Sequence, residues 1–173
     1  MKSGSPRGEF STRLCRTLDG ASCIAIVGIG DDLSAFDRLG MLAAREIDRQ
    51  GIPGITVLFA GTVPESVTGP LRKIRPGHVI LLDAADMGEP FGTFDIIDPG
   101  TIRAALFSTH ALPLSAVMEF IRQDVGTEVT LLGIQPDTAS PDTGLDTEGE
   151  VHLNENLTAF GNLLREWSRA TIH

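Results

Sequence analysis

The sequence predicts a single-domain three-layer α/β sandwich, with a mostly parallel β-sheet and helices on both of its faces. Short apolar runs of strand length alternate with helix-like segments, which is typical of this class. The 173 residues suffice for one domain with its own hydrophobic core. A hydrophobic content of 42% with 21% charged residues is ordinary for a globular protein. We see neither repeats nor a second domain.

The N-terminal stretch MKSGSPRGEFSTRLCRTLDG is polar and lacks the apolar region of a secretory signal. We therefore expect residues 1–20 to be a flexible leader outside the fold, and residues 21–173 to form the domain. No segment approaches the ~20 apolar residues that span a bilayer, so membrane insertion is not expected. The two cysteines form no CxxC pair, which favours a reduced, cytoplasmic protein.

Short apolar runs give the strands, and the 3.6-residue period gives the helices. The predicted strands are Cys23–Ile29, Ile55–Phe59, His78–Asp83, Thr93–Ile97 and Glu128–Ile134. The predicted helices run from Leu39 to about Gln50, from Asp98 to Ala105, from Leu112 to about Gln123, and from Val151 to Ser168. Asp98 with Pro99 resembles an N-cap followed by a first-turn proline. The third strand, in HVILLDAAD, is apolar enough to be central.

The formal net charge of −9 argues against nucleic acid as a partner, because proteins that bind it need a basic face. An anionic membrane surface is disfavoured for the same reason. The segment GIGDDLSAFDRLG also makes a poor dinucleotide loop, since Leu33 replaces its third glycine and the second strand ends Leu58-Phe59-Ala60 without an acid. There is no Walker lysine. A serine hydrolase is disfavoured as well, because no G-x-S-x-G elbow exists.

Three candidate site residues fall at or near the carboxyl ends of predicted strands, where open α/β sheets bind ligands. Asp37 follows the first strand, Asp83 closes the third, and His110 lies in a loop before a helix. Two carboxylates and one imidazole are suitable metal ligands, although only the fold could bring them together.

Each candidate also has a structural interpretation. Asp37 could instead cap the helix that begins near Leu39, and His110 could be a structural histidine. A carboxylate at Asp83 is harder to explain without a function, because it ends an apolar strand. Asp86-Met87-Gly88 suggests turn chemistry, and Thr62-Val63-Pro64-Glu65 has the spacing of a capping box.

The motifs that contain these candidate residues together resemble those of one protein family. The run GTVPESVTGPLRKIRPGHVILLDAADMGEPFGTFDIIDPGTI, followed by STHALPLS and LLGIQPD, resembles the [NiFe]-hydrogenase maturation endopeptidases, closest to the hydrogenase 3 branch. The similarity covers about Cys23 to Trp167 and implies a phosphorylase/hydrolase-like α/β fold. Residue by residue, Asp37, Asp83 and His110 match the positions through which the family contacts nickel. The family's glycines are matched by Gly28, Gly30 and Gly40.

The resemblance implies an aspartic-type or metal-assisted endopeptidase that removes the C-terminal extension of a nickel-loaded hydrogenase large-subunit precursor. Asp37, Asp83 and His110 would be both its catalytic and its nickel-contacting residues. The nickel would come with the precursor, and the free protein would be a monomer or weak oligomer. Physical chemistry permits either mechanism, because a divalent ion can activate a carbonyl or a water, and a carboxylate can act as general base.

The chain departs from the family pattern around Asp37. Phe36 and Arg38 stand where the family has an acid and a glycine, and Phe59 replaces a common acid late in the second strand. Asp31 replaces an asparagine. Changes around metal-contacting residues can lower affinity or activity ~10–100-fold. An alternative is therefore a non-cleaving module that binds the precursor or checks its nickel through a degraded active site.

Overall fold

A five-stranded sheet forms the middle layer of the protein, with strand order β2-β1-β3-β5-β4. The computed structural model describes residues 6–98, 113–138 and 147–172. The strands are β1 (Ile24–Ile29), β2 (Ile55–Gly61), β3 (His78–Ala84), β4 (Phe94–Ile97) and β5 (Glu128–Ile134). All neighbouring strands pair in parallel except β4, which is antiparallel to β5. The predicted α/β class with a mostly parallel sheet is confirmed.

Helices cover both faces of the sheet. They are α1 (Pro6–Thr17), α2 (Leu39–Gln50), α3 (Thr68–Ile74), α4 (Leu114–Val125) and α5 (Thr147–Thr171), with a 3-10 helix at Pro64–Val67. One core cluster joins the sheet to α1, α2 and α5 through residues such as Leu14, Ile47 and Phe160. The other joins it to α3 and α4 through Leu71 and Met118. Within the described ranges, no helix combines the length and the apolar character needed to span a membrane.

Most predicted elements are confirmed to within a few residues, but the region after β2 differs. Its 3-10 helix has Val63 at the N-cap position without a side-chain capping bond, so the predicted capping box at Thr62 does not start it. Helix α3 was not predicted, because TGPLRKI is short and contains helix-disfavouring Gly69 and Pro70. The helix predicted from Asp98 to Ala105 lies, beyond Asp98, outside the described residues.

Residues 6–17 are not a flexible leader, as the sequence analysis expected, but the helix α1. Leu14 and Leu18 are only 1% and 3% exposed, and both belong to the core. The guanidinium of Arg13 donates 2.8 Å to Asp95 Oδ1 and 3.0 Å to the carbonyl of Ile96, both on β4. The polar composition concealed one apolar stripe, Phe10-Leu14-Leu18, whose spacing of four places it on a single helix face.

The chain changes direction across the sheet at β1. Through α2 it reaches β2 on one side of β1, and through α3 it returns to β3 on the other side. Open α/β sheets form their ligand crevice at such a switch point, outside the carboxyl ends of the strands. Gly40 brings α2 against that point, since a Cβ there would lie 2.2 Å from Leu82 O and 2.3 Å from Ile29 O.

Replacing Leu14 by alanine tests whether α1 belongs to the folded unit. Because its side chain is buried in the core, Leu14→Ala should lower the free energy of unfolding by about 2–5 kcal/mol. Arg16, exposed on the same helix, provides the control, and Arg16→Ala should change it by less than about 0.5 kcal/mol. Urea unfolding monitored by circular dichroism measures both. Equal stability of Leu14→Ala and wild type would contradict the packed helix.

Replacing Gly40 by alanine tests the close approach of α2 to the sheet. The added methyl group would collide with two backbone carbonyl oxygens, and backbone atoms within a sheet cannot move aside as the end of a flexible side chain can. We expect a loss of at least about 1–3 kcal/mol in unfolding free energy. Gly69→Ala in α3 is the matched control: its Cβ meets nothing within 4 Å, so it should stabilise by about 0.4–1 kcal/mol. A Gly40→Ala protein as stable as Gly69→Ala would exclude the steric role.

Candidate functional site

Asp37 lies in the loop between β1 and α2, and its side chain is only 3% exposed. Its Oδ2 accepts a hydrogen bond of 3.0 Å from the backbone N–H of Asp31. The N-cap position of α2 is Arg38, and no side chain caps that helix. The interpretation of Asp37 as a helix cap is therefore wrong. Its carboxylate is instead bonded back toward the end of β1.

The loop that carries Asp37 is held by its own polar residues. Asp31 Oδ1 accepts a 2.9 Å bond from the N–H of Leu33, and the Asp31 carbonyl accepts a 3.0 Å bond from the N–H of Ser34. The hydroxyl of Ser34 accepts in turn from the N–H of Asp37 at 3.3 Å. Asp31 thus supports Asp37 through both its backbone and its side chain, as a short carboxylate in a turn commonly does.

Gly30 makes room for Asp37. Its φ of +130° is one that residues with a side chain rarely adopt. A Cβ at Gly30 would lie 1.8 Å from the Asp37 carbonyl oxygen and 3.6 Å from the Asp37 carboxylate carbon. The first glycine of the motif acts similarly, because a Cβ at Gly28 would lie 2.6 Å from the Cβ of Ala44 in α2. Gly30 accordingly allows close packing against Asp37, and Gly28 allows close packing of β1 against α2.

Asp83 is the penultimate residue of β3 and is fully buried, with 0% exposure. Its Oδ1 accepts a 2.9 Å hydrogen bond from the N–H of Ala84. Strand β3 lies between β1 and β5, so the prediction that this strand is central is confirmed. Burying a carboxylate in a central strand is costly, which points to a functional reason for its presence.

The fold places Asp37 and Asp83 at the carboxyl ends of two neighbouring strands, β1 and β3. In the β1–β3 register Gly28 is paired with Leu82, so Asp83 comes one residue after the last paired position. Paired strands lie about 4.8 Å apart, and the Asp37 carboxylate packs against Gly30, the residue that follows β1. Both residues therefore lie at the carboxyl ends of the neighbouring strands β1 and β3, beside the switch point.

His110, the third candidate, lies outside the described residues, so its placement beside the two carboxylates stays a prediction. Across residues 6–98, 113–138 and 147–172, no group of three or more His, Cys, Asp and Glu side chains could hold a metal ion. His78 cannot take the role, since it begins β3 at the opposite edge of the sheet. Its Nε2 lies 2.8 Å from Thr130 Oγ1, and burial lowers the pKa of its imidazole.

Gln135 is a site residue that the sequence analysis quoted but did not single out. It is 1% exposed and directly follows β5. Its Oε1 accepts bonds from the N–H groups of Met87 at 2.6 Å and Glu89 at 3.3 Å, and its Nε2 donates 3.1 Å to Asp86 Oδ1. The available signal was an amide side chain at the end of an apolar strand, where a buried polar group needs partners.

The segment that Gln135 holds begins directly after Asp83 and Ala84. Asp86 Oδ1 also accepts a 3.2 Å bond from the N–H of Gly88, whose φ is +72°. The turn predicted for Asp86-Met87-Gly88 is thereby confirmed. The buried side-chain amide of Gln135 thus holds the segment that follows β3 in place.

Arg38 and Phe59, two of the residues that depart from the family pattern, lie near the carboxyl ends of the strands. Arg38 lines a groove between α2 and α5. Phe59, in the edge strand β2, is 45% exposed, and it pairs in register with Gly28 of β1. Leu33 in the loop before Asp37 is 96% exposed, and Val63 after β2 is 47% exposed. These three side chains, Leu33, Phe59 and Val63, present apolar surface to the solvent in the segments at and after the ends of β1 and β2.

Replacing Gln135 by leucine should release the segment after β3. The Met87 and Glu89 amides would lose their acceptor, so their hydrogen exchange should accelerate at least about tenfold relative to wild type. Gln123→Leu is the control, because Gln123 lies on the exposed surface of α4 and donates its side-chain hydrogen bond to Glu119 of the same helix. Exchange followed by NMR gives the rates. Unchanged protection of both amides in Gln135→Leu would show that other contacts hold the segment.

Comparisons with known proteins agree with this architecture. The profile of the family described as "HycI: Hydrogenase maturation protease" matches residues 41–156, which include Asp83, His110 and Gln135 but not Asp37. A candidate hydrogenase maturation protease of Methanocaldococcus jannaschii is 33% identical over 121 residues, covering 65% of this chain and 72% of the relative. The hydrogenase 3 maturation protease of Escherichia coli K12 is 34% identical over 110 residues, covering 63% of this chain and 70% of the relative.

Among solved structures, the HycI [NiFe] hydrogenase maturation protease of Thermococcus kodakarensis superposes with a TM-score of 0.73. The two chains are 28% identical, and the match covers 88% of this chain and 99% of the other. The family profile spans about two thirds of the sequence, and the structural match covers a larger share of it. The chain therefore belongs to the HycI family of hydrogenase maturation proteases.

Proposed function

We propose that this protein is an endopeptidase that removes the C-terminal extension of a [NiFe]-hydrogenase large-subunit precursor. The observation that carries the proposal is the placement of two buried carboxylates, Asp37 and Asp83, at the switch-point edge of β1 and β3. Family membership supports the same reaction, since the relatives are named as hydrogenase maturation proteases. Cys15 and Cys23 are not joined in a disulfide, which suits our proposed cytoplasmic location.

Nickel belongs to the substrate in this proposal. Asp37, Asp83 and His110 would contact the ion carried by the precursor, and carboxylate and imidazole are ligands that a borderline divalent ion accepts. Such an ion can polarise a peptide carbonyl or acidify a water molecule. Contact with the ion would allow the protein to distinguish a nickel-loaded precursor from a nickel-free one. It would also bring the scissile bond close to the two carboxylates.

The carboxylates also supply proton chemistry. In peptide hydrolysis, water attacks the carbonyl carbon, the C–N bond breaks, and the leaving nitrogen gains a proton. A carboxylate at the edge of the crevice can accept the proton of the attacking water and return it to the amine. Asp37 suits this role because the Asp31 amide and the packing at Gly30 hold its carboxylate in one position. Asp83 is equally fixed within β3.

The exposed ring of Phe59 favours the non-cleaving alternative, because the family commonly has an acid there. A non-cleaving chain would keep the precursor-binding surface and lose the reaction. The two functions differ in one measurable product, the shortened large subunit.

Incubation with a nickel-loaded precursor tests the proposal. We expect the wild type to shorten the large subunit, and Asp37→Asn, Asp83→Asn and His110→Ala to slow cleavage by at least about 100-fold, since each removes a reacting or ion-contacting group. Asp124→Asn on α4, the partly exposed ion-pair partner of Arg72, is the control and should cleave normally. Intact-mass measurement follows the product.

Two results would contradict the proposal, the first its site residues and the second its peptidase activity. Full cleavage by all three site variants would remove the assigned residues from the reaction. Stable binding of the precursor by the wild type without any shortening would instead favour the non-cleaving module. In that case, restoring an acid at Phe59 should raise activity.

A further inference from the structure

A groove of about 880 Å³ runs along α2, between that helix and α5. It begins beside the loop that carries Asp37 and continues to the far end of α2. Its lining residues are Asp32, Arg38, Leu42, Arg45, Glu46, Arg49, Gln50, Asn154, Leu157 and Thr158. The two leucines contribute apolar surface, and three arginines make up most of its charge, one at the N-cap of α2 and two within that helix.

The arginines form a stripe on one face of α2. Arg38, Arg45 and Arg49 are separated by seven and four residues, spacings that repeat on the same side of a helix. With a rise of about 1.5 Å per residue, the stripe is about 16 Å long. An extended peptide advances about 3.3 Å per residue, so the stripe matches about five residues of such a chain.

The arginines of the stripe form ion pairs that are exposed to solvent, so their partners can be replaced by other carboxylates. Arg45 forms a bidentate pair with Asp32, and both side chains are about half exposed, at 50% and 45%. Arg49 Nη1 lies 2.9 Å from Glu46 Oε2, with the arginine 77% exposed. Exposed pairs of this kind contribute at most about 1 kcal/mol. An incoming carboxylate can therefore share or replace these partners at little cost.

Positive charge also remains unmatched along the groove. The Nε of Arg38 is buried and has no hydrogen-bond partner within the described part of the chain. At the other end, Arg165 of α5 donates to the uncharged side chains of Gln50 and Asn162. The lining of the groove thus carries three guanidinium groups against two carboxylates, Asp32 and Glu46, in a chain whose formal net charge is −9.

We propose that this groove binds an acidic segment of the precursor, about five residues long and extended, that flanks the scissile bond. The proposal rests on the function proposed above, because only a bound precursor places a polypeptide at Asp37. Charge complementarity selects the occupant: guanidinium groups bind carboxylates in bidentate geometry. Arg38, which lines the groove, directly follows Asp37 in the chain, so the groove begins next to the loop that carries Asp37. The arginine that departs from the family pattern thereby acquires a substrate-binding role.

Binding of labelled peptides tests the groove without requiring cleavage. The probes are a fluorescein-labelled peptide with five consecutive glutamates and its counterpart with five glutamines, measured by fluorescence anisotropy on the cleavage-impaired Asp37→Asn protein. We expect the glutamate peptide to bind at least about tenfold more tightly. The double variant Arg45→Gln/Arg49→Gln should lose this preference. Arg72→Gln is the matched control, an equally ion-paired arginine on α3 at the other sheet face, and should retain it.

The possible results separate the groove from the peptidase. Equal binding of the two peptides, or an unchanged preference in Arg45→Gln/Arg49→Gln, would overturn the groove as an acidic-segment site. Displacement of the glutamate peptide by equimolar inorganic phosphate would also overturn it, by showing a general anion site. In precursor cleavage, the double variant should raise KM at least about tenfold with kcat unchanged. A wild type that prefers the acidic peptide but leaves the precursor intact would contradict the peptidase and not the groove.

Discussion

The close approach of α2 to the carboxyl ends of β1 and β3 is the constraint on which the rest of the site depends. Only a residue without a side chain fits at Gly40, between the carbonyls of Ile29 and Leu82. That contact fixes where α2 begins, and therefore how the preceding loop must fold back to place Asp37 over Gly30. The carboxylate, the crevice and the arginine stripe all take their positions from this one contact.

Much of the fold could be predicted because its signals are local. Apolar strands bounded by turn residues, and the helical period from Leu39, gave β1, β3, β5 and α2 nearly to the residue. Helix α1 was not predicted because its segment is polar on average, and charged residues surround its narrow apolar stripe. Helix α3 escaped because its composition is unfavourable and packing at Leu71 overrides that propensity.

The site was predictable in part. Asp83 stood out because it is a carboxylate in an apolar strand, and Asp37 because it follows the first strand at the expected ligand edge. The sequence could not reveal whether Asp37 capped a helix, since that depends on the loop turning back through Asp31. Gln135 was hidden for a similar reason: its partners lie 46 to 49 residues away, and only the pairing of β3 with β5 brings them close.

The contact between Arg13 and β4 also has a consequence for solubility. An edge strand offers unpaired backbone groups to the edge strands of other molecules. Strand β4 is only four residues long, and the Ile96 carbonyl already accepts a hydrogen bond from α1. The N-terminal helix thus protects this edge of the sheet, because it occupies a backbone group with which a strand of a second chain could pair. Removing this helix would uncover a strand edge suited to self-association, and would at the same time take Leu14 out of the core.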